Sequence, residues 1–188
     1  CCWGGPERGR RDYSPGVVGL MSAQELIIEP SRFREALGHF ASGITVITSQ
    51  LDGEPLGFTC QSFYSVSMSP PLVSFSVMSR SASYPKIRQT GRFAVNILSG
   101  DQVAISDQFA RRGADKWHGV EWATSPLGNP LIGGSLHWLD CEIQAEHVAG
   151  DHLIVIGEVK ALSHQQGPVS QPLLYFKGQY CNLGASAD

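Results

Sequence analysis

Residues 139–157, LDCEIQAEHVAGDHLIVIG, carry the plainest structural signal in the chain. Leu139, Cys141, Ile143 and Ala145 alternate with Asp140, Glu142, Gln144 and Glu146. Successive side chains of a strand point to opposite faces, so this spacing predicts a strand with one buried and one wet face. On that reading the three carboxylates are a solvated face rather than paired acid–base groups. His147 to Asp151 reads as a turn, and Leu153-Ile154-Val155-Ile156-Gly157 as the strand that follows. Alternation of this kind belongs to antiparallel sheets, not to the doubly covered strands of α/β folds.

Working outward, the same strand signals recur at short spacing. Ile44 to Thr48 is a β-branched run, Asp52-Gly53 is a hairpin turn, and Leu56 to Cys60 follows it. Pro70-Pro71 cannot sit inside a central ladder and leads into Leu72 to Val77. Phe93 to Leu98, Leu173 to Phe176 and Gln179-Tyr180 complete the set. Three short helices interrupt it. Ser31 is expected to cap the first, whose Phe33, Ala36, Leu37 and Phe40 fall at helical spacing before Gly43. Ser83 is expected to cap the second, with Pro85 in its first turn and Gly91 past its end. Asp101 is expected to start the third, which ends near Phe109. Ala114 to Gly134, with Trp117 and Trp122, reads as a long loop. Many strands with few helices predict a mainly β fold, closed into a barrel because closure removes exposed edges.

Composition narrows the function classes. The 188 residues are 42% hydrophobic and 16% charged, with a net charge of -3, which gives no basic face for nucleic acid. No apolar run reaches the roughly 18 residues that a membrane helix needs, so a cytoplasmic protein is expected. Cys1, Cys2, Cys60, Cys141 and Cys181 form no Cys-x-x-Cys pair, and they read as small hydrophobes in a reducing compartment, with no metal site. Residues 1–20 are rich in Gly, Arg and Pro and are expected to be a disordered extension, with Met21 a natural start and residues 21–188 one domain.

The chemistry is foreshadowed by what is missing and by two hydroxyl-rich stretches. There is no Gly-x-Gly-x-x-Gly, no P-loop, no Gly-x-Ser-x-Gly and no His-Glu-x-x-His. Thr59 to Ser67 holds four serine or threonine hydroxyls together with Gln61, and Ser79-Arg80-Ser81-Ala82-Ser83 opens a helix. Serines and an arginine at a helix start suit a phosphate, and both stretches end successive strands, so they can meet in one pocket. Gly57 lets backbone approach a flat ring closely. Taken alone, each stretch also fits a polar loop and a capped helix.

The ordered set of motifs is more specific than any one piece. Phe33 to Thr48 (FREALGHFASGITVIT), Gly57 to Phe63, Ser65-Val66-Ser67, Pro70 to Val73, Gly91 to Leu98, Asp115-Lys116-Trp117, Gly150-Asp151-His152 and Leu173 to Tyr180 follow one another across residues 30–184. This series resembles the flavin reductase-like, FMN-binding split-barrel family, and within it the reductase components of two-component aromatic monooxygenases of the steroid-degradation type. The resemblance implies a homodimeric split β-barrel that binds FMN or FAD noncovalently and takes hydride from NADH or NADPH at flavin N5. It also implies a transient oxygenase partner that receives the reduced flavin. By motif, Leu56, Gly57, Phe58, Thr59, Gln61 and Ser62 line the flavin site, Ser76, Val77 and Met78 flank the ring, and Ser81 and Ser83 reach the phosphate. Gln108 and Phe109 are further candidates on the third helix. His152 is the candidate catalytic residue beside the nicotinamide, and Tyr175, Phe176, Lys177 and Gly178 are candidates for holding the nucleotide. Lys116 is a candidate for a phosphate or ribose contact. Related split barrels that act as oxidases, or bind flavin or haem without reductase activity, are the alternative.

Overall fold

The computed structural model describes residues 28–113, 115–164 and 171–183. The expected disordered extension 1–20, the Met21 start, Cys1 and Cys2 lie outside the described residues. In chain order these form α1 (Pro30–Gly38), β1 (Ser42–Gly43), β2 (Thr45–Leu51), β3 (Glu54–Cys60), β4 (Tyr64–Met68), β5 (Pro71–Met78) and α2 (Tyr84–Thr90). They continue with β6 (Arg92–Ile97), α3 (Val103–Ala110), β7 (Trp122–Thr124), β8 (Pro130–Ile132), β9 (His137–Ala149), β10 (His152–Leu162), β11 (Leu174–Phe176) and β12 (Gln179–Cys181). The fold is mainly β with three short helices.

Seven strands make one antiparallel sheet in the order β3-β2-β6-β9-β10-β5-β4. Its centre is the hairpin that the alternating pattern predicted: β9 pairs β10 from Ala149↔His152 to Leu139↔Leu162. Among the described residues no ladder joins β3 to β4, so backbone pairing leaves the sheet open along the seam between these consecutive strands. Gln61 to Phe63 cross that seam. A small sheet, β1-β11-β12, brings the C-terminal hairpin beside the start of β2, and β7-β8 form a further pair.

Two apolar clusters fill the molecule. Ile47, Phe75, Phe93, Val95 and Val155 form the first with Tyr84 and Ile87 of α2. Phe75 sits at its centre and meets Phe58, Tyr84 and Phe93 edge-on, with ring centroids 5.9, 6.1 and 5.1 Å away. Ile44, Val46, Leu98, Phe109, Ile132 and Leu173 form the second, beneath α3. Each such side chain contributes roughly 1.5–3 kcal/mol when fully buried. Cys60 and Cys141 are buried free thiols, in line with their reading as small hydrophobes; burial pushes the thiol pKa of both upward.

Several local expectations change. Asp140 was placed on the wet face, but it is completely buried. The segment ahead of β8 folds over that face: Asn129 Nδ2 donates to Asp140 Oδ1 at 2.7 Å, and the Leu127 N–H donates to Oδ2 at 2.8 Å. A strand's own periodicity cannot register a loop that arrives from elsewhere. Helix α1 begins at Pro30 and ends at Gly38, with Glu29 rather than Ser31 at its N-cap. In α2 it is Ser81 Oγ, not Ser83, that accepts the Tyr84 N–H, at 3.2 Å. Helix α3 starts at Val103 after Gln102, while Asp101 accepts a hydrogen bond from the Ser99 hydroxyl.

Candidate functional site

Strand β3 ends beside the seam, and α2 and α3 frame its outer side. A cavity of about 340 Å³ lies there. Leu56 and Gly57 of β3 line it, with Ser83 and Lys86 from the start of α2, and Asp115, Lys116 and Trp117 from the loop after α3. Its lining therefore combines apolar side chains and backbone with two ammonium groups, a hydroxyl and a single carboxylate. That donor set fits a ligand with a flat ring and a phosphate better than it fits a metal. Among the described residues no cluster of three metal-ligating side chains occurs.

Gly57 is buried against the ring of Phe109. A Cβ there would lie 2.7 Å from Phe109 Cε1 and 3.2 Å from the Ile47 carbonyl oxygen, so only glycine fits without a shift. The Lys116 ammonium group locks the same joint. It donates to the Gly57 carbonyl at 3.1 Å and to the Phe109 carbonyl at 2.9 Å. Half-burial of this ammonium lowers its pKa, because a charge loses water there. Two of its three N–H groups are thus committed to backbone. The Phe109 ring packs edge-on against Trp117 at 4.9 Å, which fixes the loop that closes the cavity.

The other expected flavin residues fall into two groups. Gln61 and Met78 are exposed, and Ser76 and Ser81 are half-buried, all near the seam or the start of α2. Phe58 turns toward the first apolar cluster, Val77 is buried in it, and Phe109 is buried in the second. Thr59 donates to the Ser106 carbonyl at 2.5 Å and so joins β3 to α3. Gln108 spends its amide on the Lys116 and His118 carbonyls, at 3.0 and 2.9 Å, bracing the loop. Ser62 Oγ bonds the Ser76 backbone.

His152 opens β10, half-buried, in register with Met78 of β5 and Ala149 of β9. Its Nδ1 lies 2.7 Å from Asp151 Oδ1, and this contact holds the Asp151 carboxyl below its usual range. Nε2 is then the nitrogen left for a ligand. Tyr175 and Phe176 lie in β11, and Lys177 and Gly178 form the left-handed turn after it, with φ of 50° and 79°. These two turn residues line a separate cavity against α1.

Sequence reasoning missed Lys86, whose only signal was its place three residues after Ser83. It also missed Tyr180, whose hydroxyl donates to Asp107 Oδ1 at 2.7 Å and lies 3.0 Å from Ser106 Oγ. Tyr180 packs edge-on against Tyr175 at 5.3 Å, so the C-terminal hairpin hangs on the same turn of α3 that Thr59 grips.

Residues 37–184 match the flavin reductase like domain. The chain is 44% identical over 163 residues to the reductase subunit HsaB of a flavin-dependent monooxygenase from Mycobacterium tuberculosis, covering 87% of this chain and 86% of that protein. It superposes with a TM-score of 0.81 and 41% identity on the crystal structure of a nitrilotriacetate monooxygenase component B homologue from Mycobacterium thermoresistibile, over 84% of this chain and 88% of that one. The NADH:FAD oxidoreductase of Streptomyces globisporus, solved with NAD and FAD fragments, gives a TM-score of 0.78 at 33% identity, over 84% and 94% of the two chains. The open seam, the cavity beside it and these likenesses place the chain in one family: it belongs to the flavin reductase like domain proteins.

Proposed function

We propose that the chain is an NAD(P)H-dependent flavin reductase that supplies reduced FMN or FAD to a separate oxygenase component. The observation that carries this reading is the cavity beside β3, lined by Leu56 and Gly57, by Ser83 and Lys86 at the start of α2, and by Lys116, whose ammonium group is tied to the Gly57 carbonyl. An apolar wall with backbone groups suits the ring, and the hydroxyl and ammonium groups suit the phosphate. Flavin, when bound, accepts the hydride that the nicotinamide gives up, so no side chain has to act as nucleophile.

The residues of this chain bind, orient and exclude water. Leu56, Gly57, Phe58 and Thr59 form the strand behind the ring, and Gln61 and Ser62 carry the chain across the seam. Ser76, Val77 and Met78 form the opposing strand end, and Ser81 and Ser83 face the phosphate. Gln108 and Phe109 hold the loop and strand in place. His152 presents Nε2 to the nicotinamide or to the flavin edge, and Tyr175, Phe176, Lys177 and Gly178 hold the nucleotide. Residues 21–188 act as one unit.

The same reading includes a split barrel completed as a homodimer. Phe33, Leu37 and Phe40 in and beside α1 are 54, 57 and 79% exposed, too much apolar surface on one short helix for a free monomer. Tyr64, Val66 and Met68 lie exposed along the edge strand β4, which a second copy would also cover. Among the described residues no helix is long and apolar enough to cross a membrane.

Steady-state oxidation of NADH and NADPH, run without flavin, with FMN and with FAD, tests the proposal. Turnover that requires added flavin is expected, and the better flavin and donor identify the physiological pair. Flavin binding without oxidation of either donor would overturn it in favour of an oxidase or a flavin-binding protein.

A further inference from the structure

Helix α3 stands between the strand that lines the cavity and the C-terminal hairpin. On one side it grips β3: the Thr59 hydroxyl donates to the Ser106 carbonyl at 2.5 Å, and the Phe109 ring lies against Gly57. On the other side it meets β12. The Tyr180 hydroxyl spends its proton on Asp107 Oδ1 at 2.7 Å, so the Ser106 hydroxyl, 3.0 Å away, donates to the tyrosine oxygen. Ser106 is fully buried and serves both neighbours, one through its carbonyl and the other through its hydroxyl.

The outer strand of the hairpin has little else to fix its place. β11 is anchored by backbone: Tyr175 pairs with Ser42 and Leu174 with Gly43, and the Leu173 N–H just before it donates to the Leu98 carbonyl at 3.0 Å. β12 lies at the edge of this sheet and, among the described residues, pairs with β11 alone. Tyr180 is the cross-strand partner of Tyr175 and meets its ring edge-on at 5.3 Å. Both rings pack against the second apolar cluster. That burial holds the hairpin down, but apolar contact is non-directional and does not choose where along α3 the strand rests. The hydroxyl does, because its two hydrogen bonds are short and directional.

We propose that the Tyr180 hydroxyl is a positioning group for hydride transfer: through the Ser106–Asp107 turn of α3 it sets the hairpin that carries Tyr175 to Gly178 against the flavin strand β3. The inference rests on the reductase reading above and on the nucleotide role given there to that segment. Its working part is the chain of contacts from Thr59 through Ser106 to Tyr180 and on to Tyr175. Donor and acceptor carbons have to be held at a fixed separation, and a shared helix turn gives both strands one reference point.

The test uses the whole chain. Tyr180→Phe keeps the ring against Tyr175 and loses both hydrogen bonds. Asp107→Ala removes one partner, and Asp107→Asn leaves an acceptor in its place. Stopped-flow reduction at saturating flavin and NADH reads hydride transfer, and a titration reads flavin affinity. Amide hydrogen exchange of the flavin-free proteins reads the hairpin itself. Tyr180→Phe is expected to slow transfer about tenfold, since small misplacements of reacting atoms carry costs of this order. Its flavin affinity stays at the wild-type value, and exchange quickens in β11 and β12 but not in β9 and β10. Asp107→Ala should move the rate and the exchange the same way, less far, and Asp107→Asn should return both to wild type. Wild-type transfer rates in Tyr180→Phe and Asp107→Ala, or unchanged exchange in the hairpin, would overturn the proposal and leave the reductase reading intact. A slower rate with flavin affinity lost in proportion, or with exchange quickened across β9 and β10, would also overturn it, since the defect would lie in the fold. A wild-type protein that oxidises no NADH would overturn the reductase reading, and this inference with it.

Discussion

The hydroxyl of Ser62 lies 2.9 Å from both the N–H and the C=O of Ser76, accepting from the first and donating to the second. The β4–β5 register pairs Tyr64 with Ser74, which would bring Ser62 opposite Ser76 two residues further on. The chain leaves the ladder before that point to cross the seam. One side chain therefore replaces the backbone pair that a longer β4 would have made. Ser62→Ala strips two strand groups of their partner and is expected to cost about 1–3 kcal/mol. Ser62→Thr keeps the hydroxyl and should recover most of the loss. Chemical denaturation of the three proteins checks this; an Ala variant as stable as wild type would mean that water serves Ser76 equally well.

Glu146 of β9 links the sheet to α2. Arg88 Nε donates to its Oε1 at 2.9 Å, Arg88 Nη2 lies 2.5 Å from Oε2, and the Tyr84 hydroxyl also donates to Oε1. Partial burial alone would raise the carboxyl pKa, but the hydrogen bonds from Arg88 and Tyr84 outweigh it and hold the group below its ordinary 4.5. A carboxylate with a depressed folded pKa adds stability above its unfolded pKa and loses it as pH falls through the folded value. Glu146→Gln is therefore expected to cost about 1 kcal/mol at neutral pH. The gap from wild type should narrow steadily as the pH is taken below about 4.5. Urea titrations across that range decide the matter, and a gap that ignores pH would rule out the charge as its source.

The parts of the fold legible from sequence are those governed by local period. The β9–β10 hairpin declares itself because every second residue from Leu139 to Ala145 is apolar. Strand β4 was hidden. Tyr64, Val66 and Met68 do alternate with Ser65 and Ser67, but the hydroxyls from Thr59 to Ser67 made the stretch read as polar rather than as a strand. Asp140 looked solvated for another reason, since its cover comes from Leu127 and Asn129 in another segment. The site shows the same division. Leu56, Gly57 and Ser83 do line one cavity, but not as ends of successive strands: the first two lie within β3, and Ser83 follows β5, with β4 between. Lys116 reaching back to the Gly57 carbonyl is a long-range contact of a flexible side chain, and nothing near residue 116 announces it.

The proposed role of His152, at the nucleotide rather than in the fold, has a direct test. Its side chain is 37% exposed, and Asp151 engages Nδ1, orienting the ring and leaving Nε2 outward. His152→Ala should lower kcat/KM for NADH by about tenfold or more while changing flavin affinity much less. Stopped-flow reduction at saturating flavin, beside a flavin-binding titration, separates the two effects. A rate defect wholly explained by lost flavin would remove the nicotinamide role.

Gly57 tests whether the cavity depends on close packing behind it. Alanine would put a methyl group 2.7 Å from the Phe109 ring, with the Ile47 carbonyl 3.2 Å away on the other side. The strand cannot yield toward Ile47, because Gly57 pairs with Thr48 in the β2–β3 ladder. The ring of Phe109 must move instead, and with it Trp117, which it meets at 4.9 Å. Overpacking of this kind costs typically about 1–3 kcal/mol, and here the displaced groups line or back the cavity. Gly57→Ala is therefore expected to weaken flavin binding as well as stability. Lys116→Met is the companion variant: it cuts the tie to the Gly57 and Phe109 carbonyls without adding bulk behind the strand. If binding falls in both, the joint among these three residues shapes the site; if Gly57→Ala binds flavin like wild type, the close approach serves packing alone.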